Sequence, residues 1–174
     1  TCQGCDIVYV FDADKRVAIR AIDVGIVNGG PAEAPHSVRV TPDGKYWIVC
    51  FLNSDVIQVF DATTDQLVRT VPIDGGGVAS GGQWNTLCVA SDSKTVYVGD
   101  YAGGHVAKVN IETEAVEILG YYYCSGPPAS PQTKVHGTAL NATEDTLYLT
   151  AMDLSELIKV PINDQMNYSE VKLY

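Results

Sequence analysis

The sequence is short of basic residues, since 11 lysines and arginines stand against 21 aspartates and glutamates, for a formal net charge of −10 at pH 7. The basic residues are also scattered along the chain rather than clustered. An acidic surface repels the phosphate backbone of nucleic acids and anionic membrane faces. We therefore expect no nucleic-acid partner.

Long hydrophobic runs and the common catalytic motifs are also missing. The longest apolar run, from Tyr46 to Leu52, is far shorter than the roughly 20 residues that a membrane-spanning helix needs. The chain has no glycine-rich phosphate loop, no Gly-Xaa-Ser-Xaa-Gly elbow and no His-Glu-Xaa-Xaa-His motif. We expect no membrane-spanning segment and predict no cofactor, a metal ion being the one alternative kept open.

Cysteine is more frequent than is usual in a cytosolic chain of this size. There are five, and an odd number leaves at least one thiol outside any pairing within the chain. Because disulfides persist in oxidising compartments, the count favours an extracytoplasmic location: periplasmic, cell-surface or secreted. The chain shown begins at Thr1 rather than at Met, so a targeting peptide is either removed or outside the sequence shown, and the compartment is argued from the cysteines instead.

Two of the cysteines form the sequence "CQGC" at Cys2 and Cys5. Attachment of haem requires a histidine next, and Asp6 follows instead. The alternatives are a disulfide within the pair, a disulfide from one of the pair to Cys124, unpaired thiols, or a two-cysteine contribution to a zinc site. Cys50 and Cys88 lie in apolar segments and are interpreted as small buried residues.

A repeat of about 50 residues dominates the chain. The segment "DIVYVFDADKRVAIRAIDVG" from Asp6 matches "DVIQVFDATTDQLVRTVPIDGG" from Asp55, a shift of 55 − 6 = 49. A second element, "SVRVTPDGKYWIVC" from Ser37, recurs as "TLCVASDSKTVYVG" from Thr86 and "TALNATEDTLYLT" from Thr138. Each copy alternates apolar and polar residues around a short turn, which predicts two antiparallel strands.

Two such hairpins per repeat predict a four-stranded blade, and radial repetition of blades is a β-propeller. A β-sandwich also has evenly spaced short strands, but it does not produce this self-similarity. We predict an all-β propeller of about three and a half blades that belongs to a larger ring, such as one of seven blades. The expected division is a cysteine-containing segment (1–5), an outer hairpin with a loop (6–34), and three blades (35–82, 83–134 and 135–174).

The stretch "APHSVRVTPDGKYWIVCFLNSDVIQVFDATTDQLVRTV" resembles the YVTN family of propeller repeats, which carry a Pro-Asp-Gly-Lys turn and an Asp-Xaa-Val-Xaa-Val-Phe/Ile-Asp string. Such propellers are similar to surface-layer and periplasmic proteins, amine dehydrogenase heavy chains, the ring domain of nitrous-oxide reductase and lactonase-like hydrolases. The matching residues are those that strand geometry demands, so the resemblance implies blades rather than chemistry.

The best candidates for a site are His36, Asn85 and His136, which occupy one repeat position because 85 − 36 = 49 and 136 − 85 = 51. We expect them at the mouth of the central channel, where the inner strands begin. Imidazoles there could bind a metal, through His36 and His136, or transfer protons. The simpler alternative is that each polar side chain hydrogen-bonds the backbone of the next blade.

Long connections rich in glycine and proline lead into each inner strand, and we expect them on the same face as the histidines. Aromatic residues in them offer a surface for a partner protein or a sugar-like ligand; they are Trp84, Tyr121, Tyr122 and Tyr123. The tyrosines are equally compatible with packing between blades.

The preferred hypothesis is therefore an extracytoplasmic scaffold that binds a protein partner, the remaining blades or a second copy. The alternatives are the propeller domain of a redox or metal-dependent enzyme and a lactonase-like hydrolase.

Overall fold

The computed structural model of the chain describes residues 1–27, 30–31, 33–73, 83–121, 134–152, 156–165 and 168–172. Every sheet in these ranges is antiparallel, which confirms the all-β prediction. The chain opens with a two-stranded sheet, which we call the half-sheet, formed by β1 (Ile7–Asp12) and β2 (Val17–Asp23). A small hairpin of β3 (Ile26–Val27) and β4 (Gly30–Pro31) follows, inside a segment predicted as loop.

Three four-stranded sheets come next, each with its strands paired in chain order. The first blade consists of β5 (Pro35–Val40), β6 (Tyr46–Phe51), β7 (Val56–Asp61) and β8 (Leu67–Pro72). The second blade consists of β9 (Trp84–Val89), β10 (Thr95–Asp100), β11 (His105–Asn110) and β12 (Val116–Tyr121). The third blade consists of β13 (Val135–Leu140), β14 (Thr146–Ala151), β15 (Glu156–Pro161) and β16 (Ser169–Lys172). The predicted limits between blades fall partly outside the described residues and stay predictions.

The turn between the two inner strands has the same backbone in all three blades. Gly44, Ser93 and Glu144 occupy equivalent positions, and each has a positive φ, of 72°, 61° and 55°. Glycine adopts this conformation without strain, whereas a side chain makes it costly. The Pro-Asp-Gly sequence of the first blade is therefore the least strained version of a turn that the other two blades form with residues less suited to it.

The turn between the two outer strands is held by a side-chain cap that also repeats. The side-chain oxygen of Asp61 accepts hydrogen bonds from the amides of Thr63 and Thr64 at 2.9 and 2.8 Å. Asp12 and Asn110 form the same cap in the half-sheet and in the second blade. Short polar side chains favour such turns because they satisfy backbone donors locally. The "FDA" motif thus specifies where the third strand ends.

The core is divided into three layers between successive sheets. One lies between the half-sheet and the first blade, around Val8, Trp47, Phe51 and Phe60. The second joins the first and second blades, and the third joins the second and third blades. The two middle strands of the first blade, β6 and β7, are therefore buried on both faces, which explains the nearly continuous apolar sequence of β6, "YWIVCF".

Candidate functional site at the channel mouth

The inner strands of the three blades begin at the same end of the molecule. In each blade the start of the first strand pairs with the end of the second, as Pro35 does with Phe51, Trp84 with Asp100 and Val135 with Ala151. The pairing then skips one residue in every blade before it resumes. The skipped residues are His36, Asn85 and His136.

All three predicted site residues are thus the extra residue of a β-bulge. A bulge leaves one residue unpaired and turns its side chain out of the regular alternation. Two of these side chains meet, because the rings of His36 and His136 lie 5.4 Å apart, edge to face. The ring of Tyr101, which follows the second strand of the second blade, lies 6.1 Å from that of His136. The structure therefore places both predicted histidines beside each other, with a tyrosine at one side.

His36 also connects two blades. Its Nδ1 lies 2.6 Å from the backbone oxygen of Asn85, and because a carbonyl oxygen accepts, Nδ1 carries the proton. Nε2 is then the unprotonated nitrogen of the neutral ring, the form in which imidazole binds metals. The bond to Asn85 is the interaction that the simpler of the two sequence interpretations expected at this position.

Asn85 itself is buried. Its side-chain amide has no hydrogen-bond partner among the described residues. Within those same ranges, no group of three or more His, Cys, Asp or Glu side chains is placed to hold a metal ion. The structure thus brings two imidazoles and one phenol together at the position that was predicted to face the channel.

Sequence reasoning missed a second polar pair at the same end of the second blade. The Nδ1 of His105 lies 3.0 Å from a carboxylate oxygen of Asp100, and both side chains are buried. The other carboxylate oxygen accepts hydrogen bonds from the amides of Gln83 and Ala102. The signal was an aspartate and a histidine flanking the turn "YAGG" between two predicted strands. The hydrogen bonds of this buried pair hold that turn in place.

The aromatic residues predicted to form a partner surface do not lie together on one exposed surface in the described part of the chain. Trp84 is only 3% exposed, because it packs in the core between the first and second blades, and it offers no surface to a partner. Tyr121 ends β12 opposite His105. Tyr122 and Tyr123 lie outside the described residues.

The cysteines separate into two groups. Cys2 and Cys5 form a disulfide, with their Cα atoms 5.6 Å apart, which is the pairing expected within the "CQGC" motif. Cys124, the alternative partner, lies outside the described residues. Cys50 and Cys88 are free thiols. Burial raises the pKa of Cys50 to about 12 and that of Cys88 to about 11, so neither provides a reactive thiolate at neutral pH.

Comparison with known proteins identifies the fold. The chain is similar to the structure entitled "Dihydro-heme d1 dehydrogenase NirN in complex with DHE", with 16% identity and a TM-score of 0.62 over 98% of this chain and 34% of that one. It is also similar to hydrazine synthase of Kuenenia stuttgartiensis, with 16% identity and a TM-score of 0.72 over 98% of this chain and 44% of that one. The chain therefore spans less than half the length of either protein.

These similarities confirm the prediction of a partial β-propeller, a fold shared with redox enzymes. They do not select a function, since identity is low and 792 chains of known structure are similar. No protein-family model matches the chain. No curated protein sequence matches it. The specific resemblance to YVTN repeats consequently stays a prediction. Among the described residues, no helix has the length and apolarity needed to cross a membrane.

Proposed function

We propose that this chain is a non-catalytic, extracytoplasmic β-propeller module that binds a protein partner through the outer rim of its first two sheets. The observation that carries the proposal is a set of large apolar side chains that are 42–50% exposed on the outermost strands, β2 and β8. We call this set the rim patch, and it consists of Val17, Ile19, Leu67 and Val68. Several large apolar side chains exposed on neighbouring edge strands favour an interaction site.

The two strands that carry the rim patch flank one groove. Its volume is about 580 Å³, and it is lined by residues of β2 and by Leu67 with the turn before it. An ion pair of 2.6 Å between Arg20 and Asp65 joins β2 to that turn. β2 and β8 are also the outermost strands of their sheets, so each presents an edge of unpaired backbone groups. Apolar side chains and a strand edge together suit an extended peptide segment.

The rim of the second blade is different. Its outermost strand, β12, exposes Glu117 between two half-buried residues, Val116 and Ile118. Glu112 and Glu114 precede that strand in an exposed turn. The apolar character therefore belongs to the half-sheet and the first blade rather than to every repeat, which favours a local binding surface over a general property of the fold.

Charge indicates what kind of segment binds there. Because the formal net charge is −10, a basic partner is attracted and an acidic one is repelled. We therefore infer an extended segment in which apolar residues alternate with lysine or arginine. The disulfide between Cys2 and Cys5 supports a location outside the reducing cytosol, where such bonds persist.

Selection from a displayed library of random peptides tests the rim patch. We expect enrichment of peptides with alternating apolar and basic residues. The double variant Ile19→Glu with Leu67→Glu should weaken their binding at least about tenfold, since a carboxylate placed against apolar contacts is desolvated on binding. Met152→Glu is the matched control, because Met152 is an exposed apolar residue of the third blade. Equal loss in the control, or no loss in the double variant, would exclude the rim patch.

The second candidate function is binding of a transition metal. It is favoured by the paired rings of His36 and His136, which supply two nitrogens to the metal. Titration of the purified protein with Zn²⁺ should then show one stoichiometric site that is lost in His136→Ala. His105→Gln is the control, since the His105 ring is occupied with Asp100. Absence of stoichiometric binding by the unaltered chain excludes this candidate.

A further inference from the structure

The half-sheet corresponds to the outer half of a blade. With the repeat shift of 49 residues, β1 from Ile7 to Asp12 is equivalent to β7 from Val56 to Asp61. In the first blade β7 lies between β6 and β8. Within the described part of the chain, β1 pairs with β2 on one side and has no full-length strand on the other. The edge of β1 that faces away from β2 is the place that β6 fills in the next blade.

One residue already occupies the start of that edge. The amide of Cys2 donates to the oxygen of Ile7 at 2.7 Å, and the two residues form an antiparallel bridge. Because the backbone N–H and C=O of one residue point to the same side of a strand, Cys2 lies on the side of β1 away from β2. The repeat makes Cys2 equivalent to Phe51, the last residue of β6. The disulfide from Cys2 to Cys5 closes the turn between Cys2 and Ile7.

The consequence of the open edge is visible in two equivalent phenylalanines. Phe11 of β1 and Phe60 of β7 occupy the same repeat position, yet Phe11 is 64% exposed and Phe60 is 3% exposed. Phe60 is covered by Trp47 of β6, whose ring stacks on it with centroids 4.0 Å apart. Phe11 lacks such a cover among the described residues.

An apolar groove lies beside the open edge of β1. It has a volume of about 450 Å³ and runs between β1 and the inner face of the first blade. Its walls are mainly apolar and include Val8, Tyr9, Phe11, Val38, Val40 and Trp47. Tyr9 and Val40 are exposed there as well. Leaving apolar surface in water is unfavourable, so the groove favours an apolar occupant.

From this geometry we propose that the open edge of β1 is the docking site for a β-hairpin of the inner-strand type. Its second strand lies in line with Cys2 and continues the ladder past Tyr9 and Phe11, with an apolar side chain on the Phe11 ring. The hairpin completes a fourth blade. The inference does not depend on the rim patch, which lies on the outer strands.

A second copy of the chain does not fit the site as well. Each copy would bring another half-sheet, which is an outer pair, and the inner strands of its three blades are already paired. Two copies joined at their half-sheets would leave both without inner strands. The occupant is therefore a hairpin with the alternation of "PHSVRVTPDGKYWIV", the inner pair of the first blade.

The test extends the chain with this sequence. Thr1 is equivalent to Cys50 in the repeat. A copy of residues 35–49 placed directly before Thr1 therefore puts the second strand of the copy, "YWIV", in register with β1. The matched control carries one additional residue between the copy and Thr1. A shift of one residue turns every side chain of a strand to the other face.

Hydrogen exchange of two backbone amides gives the readout. Ile7 faces Cys2, so Tyr9, two residues on, directs its amide to the same open edge, and Val8 directs its amide to β2. In the extended chain we expect exchange of the Tyr9 amide to slow at least about tenfold, with the Val8 amide as internal reference. The melting temperature should rise in the extended chain and not in the shifted control.

Equal exchange of the Tyr9 amide in the extended chain and in the control would overturn the proposal. It would also be overturned if the unextended chain already protected this amide and light scattering showed a dimer, because a second copy would then occupy the edge. Binding of library peptides to the rim patch is measured separately, so failure of either proposal is distinguishable from failure of the other.

Discussion

The three complete blades meet at two interfaces, which we call the first joint, between the first and second blades, and the second joint, between the second and third blades. Equivalent repeat positions contribute different side chains to the two joints. At the joint of the first and second blades, Ile48, Cys50 and Ile57 of the first blade face an apolar surface. The equivalent residues at the next joint are Tyr97, Gly99 and Val106.

At these positions the second joint has less apolar volume than the first, and its two blades approach more closely. A Cβ atom added to Gly99 would lie 2.6 Å from a methyl group of Val135, so the second and third blades meet more closely there than a side chain allows. The carboxylate of Glu144 accepts hydrogen bonds from the amide and the hydroxyl of Ser91 at 2.6 and 3.0 Å. The comparison teaches that the repeat fixes where blades meet, while side-chain volume and polar pairs set how they are held.

The largest expected effect is at the first joint. Ile57 is fully buried there, and Ile57→Ala should lower the free energy of unfolding by about 2–5 kcal/mol, because it removes apolar contacts and leaves a cavity. Urea unfolding followed by Trp fluorescence measures the loss. Ile19→Ala, a truncation at an exposed position, is the control and should change stability by less than about 0.5 kcal/mol. Equal losses would contradict an apolar first joint.

Overpacking should distinguish the second joint from the first. Gly99→Val places two methyl groups against Val135 and Thr86, and we expect a loss of about 1–3 kcal/mol. Because blades contact only their neighbours, hydrogen exchange should become faster mainly in the third blade. Cys50→Val, at the equivalent position of the first blade, should cost less than about 1.5 kcal/mol. The explanation fails if valine is tolerated equally well at both positions.

The polar contact at the second joint should have a smaller effect. Glu144→Ala removes both acceptors of Ser91, and we expect a loss of about 1 kcal/mol at this partly exposed site. Glu144→Gln retains one carbonyl oxygen and should lose less. Thermal unfolding of the two variants measures the difference. Identical melting temperatures for both would mean that the hydrogen bonds to Ser91 do not stabilise the joint.

The smallest effect concerns pH at the turn beside the first joint. The hydroxyl of Thr41 and the amide of Lys45 donate to Asp43 and lower the pKa of its carboxyl to about 2. Since the pKa is below that of the unfolded chain, about 4, this stabilisation is complete above pH 4 and is lost as the pH falls towards 2. Asp43→Asn should therefore reduce the decrease in melting temperature between pH 5 and pH 2.5. An unchanged pH dependence would contradict the role of this carboxylate.

Much of the fold was predictable because its determinants are local. Alternating valines and aromatic residues predict strands, and the Asp12, Asp61 and Asn110 caps predict the turns that separate them. The β3–β4 hairpin was missed, since its two-residue strands are too short for any alternation. The likeness to solved propellers then confirmed the fold that the repeat had suggested.

The candidate site was predictable in part. Equivalent repeat positions placed His36 and His136 in one column, and the structure brings their rings within 5.4 Å. The bulges that turn these side chains out of the ladder have no clear sequence signature. The buried pair of Asp100 and His105 was missed for a related reason, because burial depends on chain segments that pack from elsewhere.

The sequence by itself determined the repeat, the order of strands and turns, and the column of polar residues, because alternation and turn chemistry act over a few neighbouring residues. The tertiary structure decided that Trp84 is buried between blades and that Phe11 is exposed where Phe60 is covered. Both outcomes depend on which strand lies alongside, and the residue type does not record its neighbour. Identical phenylalanines at one repeat position thus have opposite environments.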